Sequence, residues 1–158
     1  MPTSGLRILL VEDLGTDAEL AVRELRRARL DFEWRRVETA EALARECREF
    51  EPHLVLSDFS LPRYNGMSAL RAVRELLPNV PFIFVSGTIG EETAIESLRG
   101  GATDYVLKTN LARLPAVVQR ALQEANEREA LRIAEQRIAR SERVLRSFME
   151  NLPGLAYI

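Results

Sequence analysis

The sequence predicts an α/β protein built on a parallel sheet, and three observations carry that expectation. Short, branched apolar runs alternate with stretches whose apolar residues recur at helical spacing. The connections between them are short, as in repeated strand–helix units with right-handed crossovers. Each apolar run also stops abruptly on a polar or charged residue, as strands buried on both faces do where they emerge from a sheet.

Taken in order, Arg7-Ile-Leu-Leu-Val11 reads as the first buried strand, ending at Glu12-Asp13. Residues 17–28 come next, with Ala18, Leu20, Ala21, Val22, Leu25 and Ala28 near helical spacing and arginines opposite. The stretch 32–37 alternates weakly and suits an edge strand. Thr39 is an N-cap candidate for a second helix running through Phe50, which Pro52 stops. Leu54-Val-Leu56 is the third strand, and Asp58 stands where its apolar run ends. Pro62 and Gly66 force a turn before a third helix over 68–77, closed by Pro78. The fourth strand, 81–85, delivers Ser86-Gly87-Thr88. A short helix over 91–98 opens with Glu91 and Glu92, as the helix dipole favours, and Gly100-Gly101 ends it. The fifth strand is 104–107, with Lys108 at its end.

Beyond Lys108 the pattern changes. From Leu111 to about Leu152 there is no glycine, and the one proline, Pro115, suits a first helical turn. Leu131, Ile138, Leu145 and Leu152 repeat every seven residues, with Ala134, Ser141 and Phe148 three residues after the first three. An eleven-residue spacing also links Leu111, Leu122, Ile133 and Val144, so the supercoil hand stays open. This predicts one long helix that buries its stripe in a coiled-coil homodimer, against the alternative of a solvated, arginine-rich helix. Asn151 to Ile158 then breaks the helix and stops on apolar residues, reading as the first piece of a further domain.

Composition narrows the function. A chain of 158 residues suits one domain of roughly 100–150 residues plus a remainder. Residues 1–110 carry 14 basic and 18 acidic side chains, and residues 111–158 carry 8 and 6, so neither part offers the basic excess of a nucleic-acid binder. No apolar run approaches the roughly 20 residues of a membrane span, and the first residues lack a signal peptide's pattern. The single cysteine, Cys47, excludes an internal disulfide and fits a reducing cytoplasm. Of the 22 basic residues only Lys108 is lysine; every other is arginine. No Gly-x-Gly-x-x-Gly follows a strand, no phosphate-binding Gly-x4-Gly-Lys-Ser/Thr is present, and no Gly-x-Ser-x-Gly surrounds Ser86. His53, the only histidine, cannot build a zinc site with one cysteine.

In a parallel sheet the strand ends converge on one edge, which brings together Glu12, Asp13, Asp58, Ser86 and Lys108. Clustered carboxylates need a cation, and hard oxygen donors suit Mg2+. A carboxylate beside such an ion can act as a nucleophile and form an aspartyl phosphate. Lys108, a compact point charge, and the Ser86 hydroxyl could each neutralise one oxygen of the transferring group. Singly these residues have ordinary alternatives: Glu12-Asp13 or Ser86 as helix caps, Lys108 as a solvated charge, and Tyr105 as core.

Jointly the motifs Ile-Leu-Leu-Val-Glu12-Asp13, Asp58 with Pro62 and Gly66 at offsets four and eight, Val85-Ser86-Gly87 and Tyr105-Val-Leu-Lys108 resemble the receiver domain of two-component signalling, over residues 5–123. The resemblance implies a flavodoxin-like (βα)5 fold with strand order 2-1-3-4-5. It implies Asp58 as phosphoacceptor, and Mg2+ held by Glu12, Asp13, Asp58 and the backbone carbonyl of Ser60. Ser86 and Tyr105 would be the switch pair, and Lys108 the partner of the carboxylate and phosphoryl group. Family members usually follow this lysine with proline, often in a cis peptide, whereas Thr109 stands here.

The resemblance organises the chain as a receiver domain over 1–123, a signalling helix over 124–150, and at 151–158 the opening of a PAS domain, matched by Phe148-Met-Glu-Asn-Leu-Pro-Gly-Leu-Ala-Tyr-Ile158. It implies a cytoplasmic switch that accepts a phosphoryl group from a histidine kinase or phosphotransfer protein. The parent would be a hybrid histidine kinase or cyclic-dinucleotide enzyme. The competing reading is a receiver-like interaction module that dimerises without handling phosphate.

Overall fold

The computed structural model describes residues 5–87 and 90–152, apart from the side chain of Glu91. Within it the chain forms two compact units, residues 1–122 and 123–158. The first contains five strands, β1 (Arg7–Val11), β2 (Glu33–Val37), β3 (Leu54–Ser57), β4 (Phe82–Ser86) and β5 (Asp104–Leu107). Between them run α1 (Gly15–Arg27), α2 (Ala40–Glu49), α3 (Gly66–Leu76) and α4 (Glu91–Arg99), and a 3-10 turn, Lys108–Arg113, leads into α5 (Leu114–Glu150).

All four strand pairings are parallel, in the order β2-β1-β3-β4-β5, as the resemblance implied. Parallel strands at the centre must be covered on both faces, which is why β1, β3 and β4 read as unbroken apolar runs. The two faces divide by alternate residues. Ile8, Leu10, Leu54, Leu56, Ile83 and Val85 meet α1 and the start of α5. Leu9, Val11, Val55, Phe82 and Phe84 meet α2 and α3. A one-residue slip of any central strand would exchange these faces.

Helix boundaries reflect local chemistry. Thr39 caps α2, its hydroxyl accepting from the Ala42 N–H at 3.2 Å. The third helix starts two residues earlier than the sequence spacing predicts, because the Asn65 side chain accepts from the Met67 N–H at 2.7 Å. Gly66 therefore opens α3 instead of only turning the chain. A Cβ there would lie 2.7 Å from the Phe59 carbonyl oxygen and 2.9 Å from that of Asp58, so glycine lets the helix press against the backbone beyond β3. The last helix starts at Leu114 and not at Leu111, since the chain first makes the 3-10 turn. Thr109 lies within that turn, and no cis peptide bond occurs among the described residues.

In α5 the residues that reach the core are Leu114, Val117, Val118 and Ala121. In the second unit Leu131, Ile138 and Leu145 are each about 60% exposed, so the seven-residue stripe has no partner among the described residues of that unit. The PAS-like opening falls mostly on residues 153–158, outside the described residues. No helix among those described is long and apolar enough to cross a membrane.

The close approach at Gly66 makes Gly66→Ala a severe change. The Cβ meets backbone, which has no rotamer to escape into, and the expected loss is about 1–3 kcal/mol of unfolding free energy in denaturant titration. An alanine variant as stable as the parent chain would show that the helix start can shift freely.

Candidate functional site

Sheet order alone creates the crevice. The connection from β1 leaves toward β2 on one side, whereas β3 lies on its other side, so a gap opens beyond the carboxyl ends of β1 and β3. Two ladder bonds continue past the strands and fix which residues enter it. The Glu12 N–H donates to the Val37 carbonyl at 3.0 Å, and the Asp58 N–H donates to the Val11 carbonyl at 2.9 Å. The acid after β1 and the acid after β3 are thereby locked side by side through their backbones.

Lys108, from the end of β5, reaches across to them. Its ammonium donates to Glu12 Oε2 at 2.9 Å, Asp58 Oδ2 at 2.9 Å and Asp17 Oδ2 at 2.8 Å. An ammonium has three N–H groups, and each has a carboxylate. The other Asp58 oxygen, Oδ1, accepts from the Ser60 N–H at 3.2 Å, and Glu12 Oε1 accepts from the Leu14 N–H at 3.1 Å. Glu12 thus holds the Leu14 N–H just before α1 with one oxygen and faces the pocket with the other, while α1 itself has no side-chain cap.

Carboxylate oxygens of Glu12, Asp13 and Asp58 also lie within 4.8 Å of one another. Three acids, Glu12, Asp17 and Asp58, thus hold the ammonium, and Asp13 crowds two of them. Burial pushes Glu12 up to about 7; the bonds from Lys108 and the Leu14 N–H oppose this, and Asp13 and Asp58 add to it. Burial would lower the Lys108 value, yet bonds to Asp17, Asp58 and Glu12 outweigh it and hold the ammonium charged. Hard oxygen donors carrying more negative charge than their one organic cation offsets match the requirements of a divalent ion such as Mg2+. The chain's own residues therefore fit the metal that the sequence suggests.

Ser86 ends β4 beside β5, in register with Leu107, and is 3% exposed. Tyr105 is separate from the pocket: it is half-buried and packs with the cluster that includes Phe84. Two contributors have no place among the residues that sequence reasoning singles out. One is Asp17, in the first turn of α1, where the helix dipole alone already accounts for an acid. The other is Arg36 of β2, whose Nη1 donates to the carbonyl oxygens of Glu12 at 3.0 Å and Asp13 at 3.4 Å. Nothing in the alternation of an edge strand distinguishes that arginine.

The comparisons agree with this geometry. A family model described as the response regulator receiver domain matches residues 8–119. The regulatory protein LuxO of Vibrio cholerae is 40% identical over 77 residues, 48% of this chain and 17% of its own length. The regulatory protein AtoC of Escherichia coli is 36% identical over 94 residues, 59% of this chain and 20% of its own length. Most of both relatives thus lies outside the match. A CheY-like receiver domain protein from Methanospirillum hungatei superposes with a TM-score of 0.67 at 28% identity, over 78% of this chain and 98% of that one.

The Glu12 carboxyl sets an expected pH response. Folded, it binds its proton more tightly than at the ordinary 4.5, so the stability it contributes is fully present below that value and is lost as pH rises through about 7. Denaturant titration without divalent ions should show this decline between pH 5 and 8, and Glu12→Gln should flatten it. Added Mg2+ should bind more tightly at pH 8 than at pH 6 and release protons, which calorimetry in two buffers measures. Affinity independent of pH would mean that Glu12 is ionised throughout.

Proposed function

The chain belongs to the response regulator receiver domain family, and from that premise we propose that Asp58 accepts a phosphoryl group from a histidine kinase or phosphotransfer protein. Receiver domains bind Mg2+ at an acidic site, and this chain carries an acidic cluster at the corresponding edge of its sheet. Glu12, Asp13, Asp58 and the Ser60 carbonyl would hold the ion, which when bound supplies positive charge against the transferring group. One Asp58 oxygen attacks phosphorus, and the bond from phosphorus to the donor's imidazole nitrogen breaks as the imidazole leaves. The Lys108 ammonium, 2.9 Å from Asp58, is near enough to take a phosphoryl oxygen. Ser86 would take another, drawing its loop inward, and Tyr105 would respond by repacking over the β4–β5 surface.

The observation that carries this reading is the meeting of Lys108, Asp58 and the Glu12-Asp13 pair in one crevice. An interaction module that never handles phosphate has no need of that arrangement. The buried thiol of Cys47 supports a reducing, cytoplasmic setting. The long helix and the apolar residues of Phe148–Ile158 support the further proposal of a signalling helix leading toward a PAS domain in a hybrid kinase or cyclic-dinucleotide enzyme.

Acetyl phosphate with Mg2+ should label the parent chain, and Asp58→Asn should take up no label; uptake equal to the parent's moves the site elsewhere. Trifluoroberyllate should shift the amide signals around Ser86 in the parent and not in Asp58→Asn. The exposed stripe supports a homodimer through α5, so sedimentation equilibrium should find dimers that Ile138→Asp converts to monomers. A monomeric parent chain at micromolar concentration removes that proposal.

A further inference from the structure

Of the three acids that hold Lys108, Glu12 and Asp58 belong with Asp13 to the group whose oxygens crowd within 4.8 Å, and Asp17 does not. It comes from the first turn of α1, and the bond it accepts from Lys108, at 2.8 Å, is its only side-chain hydrogen bond among the described residues. Its side chain is 26% exposed against 7% for Glu12 and 10% for Asp58, so it lies at the mouth of the crevice. These facts matter once a divalent cation enters. The ion competes with the ammonium for Glu12 and Asp58, and it repels the ammonium as a like charge. Two of the three bonds that hold Lys108 are then weakened by the event that prepares the site. The third is untouched.

We propose that Asp17 is a positioning residue that keeps the Lys108 ammonium in the crevice when a divalent cation has claimed Glu12 and Asp58. It touches neither ion nor phosphoryl group and acts through the lysine alone. An ammonium tethered from the mouth keeps two N–H groups to present to an incoming phosphoryl oxygen. An untethered one on a flexible four-carbon stem would relax into water. The inference rests on the proposed metal reading of Glu12, Asp13 and Asp58, and the experiment separates the two.

Lys108 is the chain's only lysine, so labelling with 13C,15N-lysine gives a single side-chain signal that needs no assignment. In the parent chain that signal should keep the relaxation of a restrained side chain through a Mg2+ titration. In Asp17→Asn it should be restrained without Mg2+ and narrow to that of a free lysine at saturation, whereas Asp17→Glu should stay restrained. Trifluoroberyllate affinity at saturating Mg2+ should fall about tenfold in Asp17→Asn, the usual scale for one charge-assisted hydrogen bond. If the amides of Glu12, Asp13 and Asp58 shift with Mg2+ in both chains while Lys108 stays restrained in Asp17→Asn, the anchoring role is refuted and the metal site stands. If those amides do not respond in the parent chain, both fall together.

Discussion

A single ammonium held by three carboxylates is the arrangement on which the rest of this structure depends. Taking charges out of water is expensive, and attraction between them offsets that only where geometry satisfies every donor. Lys108 meets the condition with three acceptors, none further than 2.9 Å. The acids do not meet it equally: Glu12 is pushed up to about 7, and Asp13 stands close to both of its neighbours. Part of the stability that this unit could have is withheld at the place where chemistry requires charge.

The sheet supports that concentration of charge because its strands are held by their ladder bonds and their own apolar residues, independently of the charges at their ends. The apolar residues of β1, β3 and β4 are consumed by two layers of helices, which fixes register and direction. The residue after each strand then arrives at the same edge, whatever its type. The ladder bonds Glu12–Val37 and Asp58–Val11 carry this order one residue past the strands. Gly66 brings α3 hard against the backbone behind Asp58, so the loop that presents the acid has little room to move.

Much of this is legible in the sequence, for reasons that also mark where legibility stops. Five strands can be read because apolar runs and turn residues are local signals, and the strand-end residues Glu12, Asp13, Asp58 and Lys108 converge by topology alone. Asp17 is hidden because it sits on a helix, where an acid in the first turn already has a sufficient explanation in the dipole. Arg36 is hidden because 21 arginines look alike in a sequence, and its contacts are to carbonyl groups of another segment. The starts of α3 and α5 depart from the spacing of apolar residues by two and three positions, one moved by the Asn65 cap and the other by the 3-10 turn after Lys108.

The strand β2 has consequences beyond the crevice. As a sheet margin it presents unpaired backbone that another chain could join, and natural proteins guard such margins with charge. Arg35, held by Glu46 at 2.6 Å, performs that guard duty. Arg36, next to it, turns its guanidinium toward the carbonyl oxygens of the acidic pair. Protection against self-association and support of the pocket are thereby assigned to adjacent residues of one short strand, and a lineage that traded these arginines for apolar residues would gamble with solubility and signalling at once.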